Sequence, residues 1–399
     1  MFGVEDRFPA PERFAGASDE LHALAASLIG WEDFGEDHLL GLRVLLESMD
    51  YDPHFSELGR RVAWGQILSA LCSRGRAIRS MRQLPDLDSV PLERPVFITG
   101  LHRTGTTALH KLMAVDARFQ GLEGWLTGAP MPRPPRAEWD NHPEYREMVD
   151  RLEARFAAVP GMRAAHESLA GEVDECVGIL MQSFVSTIWT VAWSAASYDA
   201  WWQTQSERPA YRHHRRALQV IGSNDGDKRW LLKEPSHINT LDILFETYPD
   251  ALVIQTHRDP GKAIPSLCSL LIQQHPLMEV DRLDQRARMM GLRETARSAH
   301  AIRKAEPVRR AHAAQILDVR HADFHRDPLG VIRRIYPFIG LELTPDVEEA
   351  MLERIAAAPE RSHGEHSYTA EQFGVSEDEI REQFGAYVDR FDLRPGRGG

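Results

Sequence analysis

Two glycines constrain this chain more than any other feature. Gly100 and Gly105 bound a short loop with a strand-like run before it and a helix-like run after it. Val96, Phe97, Ile98 and Thr99 are β-branched or aromatic, the composition of a short buried strand. Glycine at both ends of the loop predicts positive φ or close backbone approach. Thr106 and Thr107 then open a run with Leu109, Leu112 and Met113 at helical spacing. Strand, loop and helix over 94–113 form a cradle in which successive N–H groups and a helix N-terminus face one anion.

The loop has the G-x-x-x-x-G spacing of a P-loop, but Thr106-Thr107 stands where Lys-Ser/Thr should follow. Nothing in the loop can then reach a β/γ-phosphate pair. Arg103 lies inside the loop instead. The expected ligand is a nucleotide with one 5′-linked pair of anionic groups, not a triphosphate with magnesium; a glycine turn without a ligand is the bland alternative. Further strands are expected at 230–233 and 251–256, with the helix after the second carrying Pro265 and Ser266, and another strand at 315–319. Crossovers between them are long enough for helices, which predicts an α/β fold, a parallel sheet flanked by helices. Gly100, Lys233 and Thr256 to Arg258 all fall at carboxyl ends of strands, where such sheets bind ligands.

The chain has 399 residues and a formal net charge of −12. That balance argues against nucleic-acid binding and means an anionic ligand must be held by a local cluster of cations and N–H groups. Cys72, Cys176 and Cys268 suggest neither a disulfide framework nor a zinc site, so a reducing, cytoplasmic setting is expected. No metal site is expected. The first residues lack the apolar core of a signal peptide.

Apolar spacing predicts three helices within 18–82 after an irregular arm. The expected organisation is a helical N-terminal segment over 1–90 packed on an α/β domain over 91–393, with a disordered tail at 394–399. A proline cluster at 130–135 cannot be helix or central strand and reads either as cover for an active-site mouth or as a plain surface loop. The stretch 176–198 has no charged residue. Its many Ser and Thr residues, and Glu172, Asp174 and Glu175 at its start, favour a buried helix over a membrane span. That helix, with Trp201 and Trp202, is expected to wall an apolar acceptor pocket. An amphipathic helix is expected over 237–248, a solvated charged helix over 282–305, and a basic, glycine-containing loop over 358–374.

Residues 100–107, Gly-Leu-His-Arg-Thr-Gly-Thr-Thr, resemble the 5′-phosphosulfate loop of the sulfotransferases that use 3′-phosphoadenosine 5′-phosphosulfate (PAPS). Thr256-His257-Arg258-Asp259-Pro260 followed by Ser266 resembles that family's 3′-phosphate site, and Leu232-Lys233-Glu234-Pro235 is similar to the Lys-acid-Pro turn of its bacterial and tyrosyl-protein branches. The three matches come in family order. The resemblance implies a P-loop-like sulfotransferase fold, PAPS as co-substrate, and transfer to a hydroxyl; the Trp-rich uncharged stretch suggests that the acceptor is small and apolar. The resemblance also implies cofactor contacts from His102, Arg103, Thr104, Gly105, Thr106, Thr107, Arg258 and Ser266. A late basic loop closing over the nucleotide would add Arg361 and His363. Lys233 would assist the leaving group. The general base stays open among Glu123, His166, Glu175 and His237. An atypical P-loop kinase or NTPase, and a non-catalytic nucleotide-binding protein of the same fold, are the alternatives; self-association is left open.

Overall fold

A computed structural model of the chain describes residues 8–158, 169–273, 275–280, 282–357 and 368–394. Two compact units are formed. The helical unit takes in Met1–Leu92, Leu122–Gly226 and Gln273–Asp281; the sheet unit takes in Glu93–Gly121, Asp227–Ile272 and Arg282–Gly399. The N-terminal helices thus share their unit with a long middle stretch of the chain.

In the helical unit, α1 (Ser18–Ile29), α2 (Leu39–Tyr51) and α3 (Glu57–Gln83) follow the apolar spacing. Leu21, Ala25, Leu42, Leu45, Leu46, Val62, Ile67 and Leu68 are buried in one core. Ser56 starts α3: its hydroxyl accepts the Gly59 N–H at 2.9 Å, satisfying a donor the helix itself cannot. The arm before α1 is irregular but anchored, because Phe14 is fully buried and the Phe14 and Ala15 amides donate to the Asp50 carboxylate at 3.0 and 2.9 Å.

The uncharged stretch 176–198 is not one helix, contrary to expectation. It breaks into Val177–Leu180, a 3-10 turn at Met181–Ser183, Ile188–Val191 and the start of Ala196–Trp202. Phe184 takes a positive φ of 55°. The Ser183 hydroxyl donates to the Leu180 carbonyl at 2.8 Å and accepts the Val185 N–H at 3.2 Å, offering the backbone a partner other than the helical ladder. Its apolar character comes from burial. The Phe184 ring stacks on Trp189 at 5.5 Å, and Trp189 and Trp193 belong to the core of the unit. Among the described residues, no helix is long and apolar enough to cross a membrane.

The sheet unit holds five parallel strands: β1 (Val96–Gly100), β2 (Phe119–Gln120), β3 (Arg229–Lys233), β4 (Leu252–His257) and β5 (Ile316–Arg320), in the order β2-β3-β1-β4-β5. β1 and β4 are buried along their whole length, as a sheet covered on both faces requires. The helices that matter below are α4 (Thr106–Met113), α5 (Pro260–Ile272), α6 (Leu283–Ala311), α7 (Pro328–Ile339), α8 (Glu377–Phe384) and α9 (Ala386–Arg390). The helix expected over 237–248 is shorter: a 3-10 turn covers Pro235–Thr240 and the α-helix only Leu241–Thr247. The Glu234 carboxylate accepts the Ser236 N–H at 3.0 Å, and the Thr99 hydroxyl donates to the Pro235 carbonyl at 3.0 Å. The groups that would open a longer α-helix are already engaged.

Gly100 pairs with Thr256 at the end of β1, with φ at 145°. A Cβ there would stand 2.4 Å from the Thr256 carbonyl oxygen, which is backbone and cannot give way. Gly100→Ala is therefore expected to lower the unfolding free energy by about 2–4 kcal/mol in urea denaturation, through overpacking and backbone strain. A loss under about 0.5 kcal/mol, the range of neutral surface changes, would contradict the tight approach.

Candidate active site

The loop from Gly100 to Gly105 owes its shape to three positive φ angles: 145° at Gly100, 65° at Arg103 and 89° at Gly105. The Thr104 hydroxyl donates to the Leu101 carbonyl at 2.6 Å and lies 2.6 Å from the Thr256 hydroxyl. Thr104 is buried and fastens the loop to β4 rather than facing solvent. α4 begins at Thr106 with Gly105 as its cap, so the helix N-terminus opens on the loop. The amides of the first turn have no intrahelical partner and carry about half a positive charge.

Lys233 reaches the same place from the end of β3. It is 1% exposed, and its Nζ donates to the Thr107 hydroxyl at 3.1 Å. β3 neighbours β1 in register, with Lys233 opposite Ile98, which sets the ammonium beside the loop. The loop itself has no Lys, and this one stands beside it from the adjacent strand. Glu234 and Pro235 fix the backbone that follows it: the Glu234 amide donates to the Ile98 carbonyl at 3.1 Å.

Arg258, just beyond β4, donates from Nη1 to the Arg103 carbonyl at 2.8 Å, and the Arg103 Nε donates to the Ser266 hydroxyl at 3.2 Å. Arg103, Arg258 and Ser266 are therefore brought together, as the sequence predicts. Burial, with Arg103 nearby, lowers the Arg258 pKa from its ordinary value, against the opposing pull of Tyr368 and Asp259.

The base candidates are scattered. His237 is fully buried in the sheet unit, edge-on to Phe97 at 5.2 Å. Glu123 and Glu175 belong to the helical unit, on strands of chain joined by a bridge between Glu123 and Val173. The Glu123 Oε2 accepts Arg133 Nη2 at 3.1 Å and Nε at 3.2 Å, and Arg133 also pairs with Asp225 at 2.7 Å. Burial pushes the Glu123 pKa up, with Arg133 opposing it. Arg133 thus ties the proline cluster into the helical unit. Glu175 is half-buried. His166, Arg361 and His363 lie outside the described residues, as do residues 395–399 of the expected tail.

Two residues at the site went unread in the sequence. His321 directly follows β5, and its ring stands 3.3 Å from where a Cβ on Gly105 would be. Its place at a strand's carboxyl end is the signal that picked out Lys233 and Arg258, and could have found it. Burial, then Arg258, His325 and Arg103, push its pKa down to about 3. Glu294 lies on α6, in the stretch expected to be a solvated face, yet it is 3% exposed. Burial opposes its ionisation, but Arg297 and Arg293, with His102 of the loop, hold its pKa at about 2.

A model of the sulfotransferase family, the Sulfotransfer_3 group, matches residues 95–345, from the start of β1 past α7. The chain belongs to the sulfotransferase family. The structure of sulfotransferase STF1 from Mycobacterium tuberculosis superposes with a TM-score of 0.83 at 35% identity, covering 94% of this chain and all of that one. STF9 from Mycobacterium avium gives a TM-score of 0.86 at 25% identity and 98% coverage of both chains. Among characterised proteins, the omega-hydroxy-beta-dihydromenaquinone-9 sulfotransferases Stf3 of Mycobacterium bovis and M. tuberculosis are 26% identical over 336 residues, 78% of this chain and 81% of theirs. The chain is thus a sulfotransferase with the P-loop-like α/β fold.

His321 gives this sulfotransferase a definite acid response. Its pKa is depressed when folded and near 6.5 when unfolded, so the unfolded chain binds a proton that the folded one excludes. Stability from this residue is complete above pH 6.5 and falls toward pH 3, by about 1.4 kcal/mol per pH unit at most. His321→Gln should flatten the stability–pH slope over that window by up to one proton's worth in urea titrations. An unchanged slope would show that His321 is not held neutral.

Proposed function

We propose that this enzyme moves the sulfuryl group of PAPS to a hydroxyl of a small, apolar acceptor. The observation that carries the reading is the Lys233 ammonium on the Thr107 hydroxyl, beside a loop that lacks its own Lys. In this reading the 5′-phosphosulfate lies against the 103–107 amides and the Thr106 and Thr107 hydroxyls. Arg258 and Ser266 take the 3′-phosphate, for which a planar guanidinium suits two parallel hydrogen bonds. His102 and Arg103 border the same ligand. Arg361 and His363 are assigned to the nucleotide by family resemblance alone.

The acceptor oxygen attacks sulfur, the bond from sulfur to the phosphate oxygen breaks, and the hydroxyl proton leaves to a base. Such a transfer passes through a loose transition state, so positioning and charge neutralisation decide the rate. Negative charge grows on the departing phosphate oxygen, where Lys233, the loop amides and the α4 N-terminus neutralise it. No metal takes part in this scheme. The base that takes the proton stays open among Glu123, His166, Glu175 and His237; Glu123 is held by Arg133, and His237 is buried in the sheet unit. His166 carries no structural argument.

The apolar acceptor rests on the relatives whose names specify a hydroxylated menaquinone derivative. Cys72, Cys176 and Cys268, all buried and in no disulfide, fit a reducing, cytoplasmic setting. A kinase or NTPase reading finds no support: β4 ends in Gln255, Thr256 and His257, without an acid for magnesium. With PAPS and an ω-hydroxylated isoprenoid quinone, a sulfated product is expected by mass spectrometry. Lys233→Met should slow its formation by about 100-fold or more while the protein stays folded. A rate equal to that of the unaltered enzyme would contradict the role given to Lys233.

A further inference from the structure

Arg258 sits between two residues that are both gripped by the C-terminal helices. On one side is His257, fully buried at the end of β4. Its Nε2 lies 2.8 Å from the Asp318 Oδ1, an acceptor only, so Nε2 carries the proton. Its Nδ1 then accepts from the Tyr387 hydroxyl of α9 at 3.0 Å. The Phe391 ring lies flat against the imidazole, with centroids 3.8 Å apart and planes 14° apart. Arg309 clasps Asp318 from behind at 2.8 and 3.0 Å. The imidazole can neither rotate nor shift without breaking one of these contacts.

On the other side is Asp259. Its carboxylate takes two parallel hydrogen bonds from Arg381 of α8, Nε at 3.0 Å and Nη2 at 2.7 Å, and accepts the Gly261 N–H at 2.9 Å. Arg381 is itself fixed by Glu377 at 2.7 Å and Asp378 at 2.8 Å. A Cβ at Gly261 would meet the Arg381 guanidinium at 2.9 Å, so the helix start and the arginine are packed face to face. Two residues two apart are thus locked to one helix pair. Arg258 between them makes no ion pair among the described residues and keeps its guanidinium on the Arg103 carbonyl.

We infer that the α8–α9 pair is a positioning device for Arg258. Tyr387, through His257, and Arg381, through Asp259, set how tightly the 3′-phosphate of the donor is held. Neither residue touches the nucleotide in this scheme; each fixes one neighbour of the arginine that does. The inference rests on the donor reading proposed above. It adds that donor selectivity is written partly in the last stretch of the chain, outside the 95–345 region that defines the family.

The test is calorimetric titration of the full chain, Tyr387→Phe and Arg381→Met with two nucleotides. One is 3′-phosphoadenosine 5′-phosphate; the other is adenosine 5′-phosphosulfate, which lacks the 3′-phosphate. Each variant is expected to bind the bisphosphate at least about fivefold more weakly, a difference of about 1 kcal/mol, and the phosphosulfate within about twofold. Added to Arg258→Ala, neither change should weaken the bisphosphate further, since residues acting through one group are not additive. Tyr387→Phe keeps the ring and decides the matter if Arg381→Met does not fold. Unchanged bisphosphate affinity, or an equal loss for both nucleotides, would overturn the inference. Absence of bisphosphate binding by the unaltered protein would instead overturn the donor reading, and the inference with it.

Discussion

The close approach of β1 to β4 at Gly100 and Thr256 is the contact on which the site depends. Only a residue without a Cβ can end β1 there, and only that ending turns the chain into the loop. The Thr104 hydroxyl then fastens the loop back to Thr256. α4 starts immediately beyond, so its unpaired amides face the same space as the end of β3. Lys233 can serve the loop because the parallel register sets β3 beside β1. Moving any strand by one residue would turn its side chains to the opposite face and remove one of these groups.

For the donor proposed above, a chain of net charge −12 must supply positive charge locally. Charge is local: Arg103, Arg258 and Lys233 are gathered at strand ends, and the helix N-terminus adds to them. Their mutual repulsion is limited by keeping a neighbouring base, His321, uncharged. Where a further cluster of arginines stands near the loop on α6, the buried carboxylate of Glu294 offsets part of it. A field of this kind acts over short distances.

What was legible in the sequence follows from how local each signal is. The β1–loop–α4 segment was readable because strand composition, glycine placement and helical spacing all lie within twenty neighbouring residues and agree. Lys233 and Arg258 could be placed because each falls at or just after a strand end, and Ser266 because it follows Arg258 as in the 3′-phosphate site it resembles. The stretch 176–198 was misread because uniform apolarity reports burial and not helical continuity; the hydrogen bonds of Ser183 and the positive φ of Phe184 decide that. Glu294 was hidden in a charged helix whose burial depends on packing from distant parts of the chain. The grip of Tyr387 and Arg381 on the residues beside Arg258 spans more than a hundred positions, and no local pattern announces it.

The most direct test of the central claim is calorimetric titration of the unaltered protein with 3′-phosphoadenosine 5′-phosphate, with and without magnesium, beside a titration with magnesium-ATP. The account predicts tight binding of the bisphosphate, indifferent to magnesium and weakened by Arg258→Ala, and little or no binding of ATP. Failure to bind the bisphosphate, together with magnesium-dependent binding of ATP, would contradict it.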